Sequence, residues 1–143
     1  AEAAVWAWPE GDEPVFEELR AVSNGWVCLP DDPITPGHDP MCLDDQWMEW
    51  LTAQFEGREP ELTGLGFSYM LQGGSGASDA DPTQMEPLAG EDWLTGPPHV
   101  MMIAPSDFDT SAFPDSRDSG EPYIMWGGTP YEHFMVPSAL NWE

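Results

Sequence analysis

The stretch YIMWGGTPYEHFMVP, residues 123–137, decides the fold. Two apolar runs, 123–128 and 133–137, flank a Gly-Gly-Thr-Pro connection. Glycine supplies positive φ and proline a preset φ, so the chain is expected to reverse there and the runs to pair as an antiparallel hairpin. Working outward, YMLQGG (69–74) and PPHVMM (97–102) echo YIMWGG and EHFMV. Residues 65–71, stopped at Gly73 and Gly74, and residues 99–105 therefore read as two further strands. The two His-led strands are expected at comparable places in one sheet. The connectors differ too much in length for an internal duplication.

One helix is expected, over LDDQWMEWLTAQF, 43–55. Leu43, Trp47, Trp50, Leu51 and Phe55 fall on one stripe of a 3.6-residue period. Asp44 and Asp45 lie in the first turn, where the helix dipole favours negative charge. Gly57 is placed to end it. These Trp and Met side chains read as core. Eight Trp in 143 residues give a small chain large rings to bury. The N-terminal AEAAVWAW reads as a short strand, either packed on its own domain or completing a neighbour's sheet. PVFEELRAV, 14–22, is a strand or one to two helical turns. LPDDPITPGHDP, 29–40, is an irregular loop, because its four prolines restrict their own φ and the residue before each. SGASDADPTQMEPLAGED and SDFDTSAFPDSRDSGEP read as long polar loops. Strands mixed with one helix predict an α+β fold: a single domain, 1–143, with a mainly antiparallel sheet on one main helix. Residues 1–13 form its N-terminal arm or strand.

Charge removes several functions. Three Lys plus Arg, all of them Arg, against 27 Asp plus Glu leave a net −24. Nucleic acid and anionic membrane surfaces are repelled by such a chain. Self-repulsion is strongest at low salt and relieved by screening. The acidity fits a saline habitat or cations held among the carboxylates. GGSGAS matches no phosphate-binding pattern, and no Lys is present to meet a phosphate. No apolar run is long enough to cross a membrane. AEA at the start fits either signal-peptide cleavage or simple trimming. Cys28 and Cys42 enclose one short loop, which predicts a disulfide and an oxidising compartment. That link is worth roughly 3 kcal/mol in the chain-entropy account.

The His-x-Met spacing recurs at His99–Met101 and His133–Met135. Residues i and i+2 of a strand share a face, so neighbouring strands would bring two imidazoles and two thioethers together. Such donors suit copper, above all Cu(I). Met is equally a core filler, and a buried His often only serves a backbone carbonyl. Both readings stand at this stage. Asp79, Asp81 and Thr83 alternate as in the opening of a calcium loop. Gln84 and Gly90 occupy the places where an EF-hand needs Gly and Glu, so only a looser calcium site, or a plain solvated loop, is expected. His38 reads as a solvent-facing loop residue. No Gly-x-Ser-x-Gly is present, and Ser75 between Gly74 and Gly76 is a lone serine. Twenty-seven acids always offer carboxylate pairs, which leaves a hydrolase as the third reading.

The blocks SNGWVCLPDDPITPGHDPMC, YMLQGGSGASDADP, GPPHVMM and YIMWGGTPYEHFMVP resemble a family of uncharacterised secreted or periplasmic bacterial proteins, over about 22–137. This chain departs from the pattern in its doubled proline before His99 and its acidity. The resemblance implies export and one compact domain, and it implies no activity. The expectation is thus an extracellular or periplasmic, non-catalytic domain that binds cations, with copper or calcium as cofactor if any. The alternative is a structural subunit of an extracellular polymer, a homo-oligomer joined through the N-terminal strand.

Overall fold

The computed structural model describes residues 2–11, 13, 15–21 and 24–138. Ala1, Asp12, Pro14, Val22, Ser23 and residues 139–143 lie outside the described residues, as do those parts of the readings for 1–13 and 14–22. In chain order the strands are β1 (Ala4–Ala7), β2 (Glu17–Arg20), β3 (Val27–Leu29) and β4 (Met41–Leu43). Helix α1 (Asp45–Glu56) follows, then β5 (Gly66–Met70), β6 (Gly74–Gly76) and β7 (Leu94–Gly96). The last three are β8 (His99–Ile103), β9 (Tyr123–Met125) and β10 (His133–Pro137). Eight strands form one sheet in the order β2-β1-β3-β4-β5-β8-β10-β9, and β6 pairs with β7 as a separate ribbon. Every strand pairing is antiparallel except β1 with β3. With α1 packed on β4 and β5, this is the α+β fold expected.

The N-terminal strand packs on its own domain. β1 is bonded to β2 on one side and β3 on the other, so both of its edges are used within the chain. The sheet edge at this end is β2, whose four residues are all exposed and mostly charged. Cys28 and Cys42 face each other directly in the β3–β4 register and are joined as a disulfide. The Pro-rich loop between them is pinned at its base. Inside that loop Asp39 is buried and accepts from the Asp32 backbone N–H at 2.9 Å and the Thr35 hydroxyl at 2.5 Å.

Helix α1 begins two residues later than its apolar stripe suggests. Leu43 closes β4 and reaches the core from the strand, with no exposed surface. Asp44 is extended (φ −83°, ψ −177°) and caps the helix, its Oδ1 accepting from Trp47 N–H at 3.0 Å. Its Oδ2 accepts from Phe67 N–H at 2.6 Å, tying the helix start to β5. Asp44→Ala removes both acceptors and is expected to lower stability by about 2 kcal/mol. Urea denaturation checks this; an unchanged midpoint would refute the capping role. At the other end Gly57 adopts φ 69° and closes the helix, as its position suggests.

Along β5, β8, β10 and β9 one face is buried and sulfur-rich. The register sets Ser68, Met101, Met135 and Tyr123 in one row. Met70 and His99 stand in a second row, and His133 and Met125 in a third. Trp47, Trp50, Leu51 and Ala53 of α1 are buried over this face. The opposite face carries Phe67 and Tyr69, which stay partly open, while Phe108 and Phe113 pack edge-on against Phe134.

The hairpin of 123–137 is present, but its first strand stops at Met125. Trp126 takes φ 56°, a left-handed conformation that costs a bulky residue energy. It is held there by its N–H to Asp79 O at 2.7 Å and its indole N–H to Ser78 O at 2.8 Å. The ribbon β6–β7 lies at the ends of a stretch read from sequence as a polar loop. Gly-Ser-Gly carries no strand signal, and only the pairing with Leu94–Gly96 makes it one.

Candidate functional site

β8 and β10 are neighbours, as the echo suggests, and Met101 pairs directly with Met135. His99 is paired with Pro137 at one end, and the same register sets His133 level with Ile103 at the other. Four residues of strand separate the backbones of His99 and His133 by about 13 Å along the sheet. His99, Met101, His133 and Met135 therefore share a face, the two thioethers level with each other and the two His at opposite ends of the paired stretch. The i, i+2 rule is satisfied on each strand; the antiparallel register, invisible in the sequence, brings the two Met level and sets the two His apart.

Both His are tethered alike. His99 Nδ1 lies 2.6 Å from Pro97 O, and His133 Nδ1 lies 3.0 Å from Tyr131 O. A carbonyl only accepts, so Nδ1 carries the proton and Nε2 keeps its lone pair in each ring. Burial is the main reason both rings stay neutral; it lowers the pKa of His99, and pushes that of His133 down to about 4. The nearby Arg117 charge depresses His99 further.

The surroundings then diverge. His133 sits against three indoles, with ring centroids 5.5 Å from Trp47, 5.2 Å from Trp50 and 5.1 Å from Trp126, all near edge-to-face. Trp50 and Trp126 stack within 5° of parallel. This is the packed core that the helix stripe predicts, extended by the strained Trp126. His133 also borders a cleft of about 390 Å³ between 60–62, 104–110 and 129–134. Glu61 and Glu132 line it, and the Glu132 carboxylate is already bonded to Thr110 Oγ1 at 3.1 Å and Gly128 N–H at 3.0 Å.

His99 is 3% exposed, and its Nε2 is buried with no hydrogen-bond partner among the described residues. It borders a cavity of about 60 Å³ together with Arg117, Tyr123, Met125 and Met135. β6 roofs this cavity. A Cβ on Gly74 would stand 3.0 Å from Met70 Cε and 3.4 Å from His99 Cε1, and one on Gly76 3.8 Å from Met125 Cε. The glycines thus let the ribbon lie directly on the imidazole and thioethers. A basic lone pair, its opposite nitrogen fixed by a carbonyl, with sulfur alongside, is a donor set for a soft cation. Sequence reasoning missed Met70, Met125, Tyr123, Arg117 and Gly74. Once the strand order is known, alternation puts Met70, Met125 and Tyr123 on the His99 face.

The calcium candidates are used otherwise. Both oxygens of Asp79 bond Arg117, through Nε at 2.5 Å and through Nη2. Asp81 Oδ1 accepts from Thr83 N–H at 2.8 Å and Thr83 Oγ1 at 2.6 Å, a local turn. No group of three or more His, Cys, Asp or Glu able to hold a metal comes together among the described residues. His38 is exposed, as expected, and pairs with Asp31 at 2.9 Å. No described helix is long and apolar enough to cross a membrane.

No family model matches the chain, and no curated protein or solved structure does.

Proposed function

We propose that this is an exported, non-catalytic domain that binds a soft metal ion, copper in particular, at His99. The observation that carries the reading is the His99 Nε2 lone pair, buried and unpartnered beside Met125 and Met135. An unpartnered buried polar atom costs about 1–3 kcal/mol, which a ligand would recover. Met70, which touches the same roof, is a further thioether within the group. The ligand set differs from the one the repeated spacing suggests: His99 and Met135 stay, His133 and Met101 leave. Export is supported by the Cys28–Cys42 disulfide, which persists in oxidising compartments. Polymerisation through the N-terminal strand would require β1 to leave two partners in its own sheet.

The test is Cu(I) affinity by competition with a chromophoric chelator. His99→Phe and Met135→Leu are each expected to weaken binding at least about tenfold, since even outer groups of metal sites carry that much. His133→Phe is expected to leave it unchanged. Wild-type affinity in both the His99 and Met135 variants would end the proposal.

A further inference from the structure

Arg117 stands in the wall of the His99 cavity. Its Nε and Nη2 hold Asp79, and its Nη1 donates to Thr95 O at 2.9 Å in β7, so the guanidinium is fixed beside the ribbon. Asp79 does not line the cavity; the cation does. The charge that faces the cavity is therefore the guanidinium, with Asp79 bonded behind it and offsetting part of its field. Among the described residues no carboxylate borders the cavity to neutralise an entering ion. A soft site usually accepts divalent zinc or copper as well as Cu(I), since imidazole suits all of them. Here repulsion from a fixed cation rises in proportion to the ion's charge, and desolvation rises more steeply still.

We propose that Arg117 is the specificity-determining residue of this site, restricting it to monovalent soft ions such as Cu(I) and Ag(I) and excluding Zn(II) and Cu(II). The inference rests on the reading of His99 as a metal ligand. Arg117 touches no metal in this role; it acts through charge, and Asp79 and Thr95 hold it in place.

The experiment titrates Ag(I) into the full chain by calorimetry, with and without excess Zn(II). The wild-type protein is expected to bind one Ag(I) with no competition from Zn(II). The pair Arg117→Met with Asp79→Asn removes both charges together, so no bare carboxylate is left to act as a new ligand. It is expected to keep Ag(I) affinity within about threefold and to gain Zn(II) affinity by about tenfold or more. Arg117→Lys, which keeps the charge, is expected to exclude Zn(II) as the wild type does. Discrimination unchanged in the double variant overturns the role of Arg117 while leaving the soft-metal reading intact. Wild-type protein that binds Zn(II) as tightly as Ag(I) overturns it without any variant. Wild-type protein that binds no Ag(I) overturns both.

Discussion

Trp47→Ala is expected to lower stability by about 4 kcal/mol, read from urea denaturation, a large share of the 5–15 kcal/mol typical of a domain. Trp47 is 2% exposed and lies between α1 and the sheet, its ring 4.6 Å from Trp50 and 5.5 Å from His133. Truncation would leave a void that the sheet on one side and the helix on the other are poorly able to close. The companion substitution separates shape from polarity. Trp47 Nε1 is buried without a partner among the described residues. Trp47→Phe deletes that orphaned donor together with part of the ring, so the lost apolar area is offset by a removed desolvation cost. It is expected to cost no more than about 1 kcal/mol. A loss near that of the alanine variant would show that the indole N–H is satisfied in solution.

The second large effect is acid sensitivity through His133. Above pH 6.5 the imidazole is neutral in both the folded and the unfolded chain. Burial pushes the folded pKa down to about 4. Between those values the unfolded chain takes up a proton that the folded chain refuses. Stability therefore falls as pH falls from 6.5 to about 4, by up to about 3 kcal/mol, and falls no further below that on this account. The Trp47, Trp50 and Trp126 rings pack around the imidazole, which is 4% exposed. Acid also eases the −24 charge, which would favour the compact state. The informative quantity is thus the difference between wild type and His133→Phe. That difference should change with pH across the window. Parallel stability curves would remove His133 as the acid-sensitive group.

The elements that could be read from the sequence were those set by local periodicity and local backbone chemistry. The Trp47–Trp50–Leu51 stripe, the Gly57 stop and the Gly-Gly-Thr-Pro reversal each depend on residues within a few positions of one another. Cys28 and Cys42 enclose one short loop, and the disulfide joins them as expected. Leu43 shows the limit: it belongs to the stripe by spacing and reaches the core by another route, because Asp44 serves Phe67 as well as Trp47.

The candidate site was half legible. His99 and Met135 each belong to a His-x-Met pair that strand alternation sets on one face, but their partners in those pairs, Met101 and His133, do not border the cavity. The other half depends on which strands meet and in which register, a property of distant chain segments. By itself the sequence determined the α+β class, the helix, the disulfide loop, the acidic charge and the presence of soft donors on two strands. Only the tertiary structure decided that His99 and His133 part company. An antiparallel pairing sends one to the glycine ribbon and the thioethers, and the other into a cage of indoles.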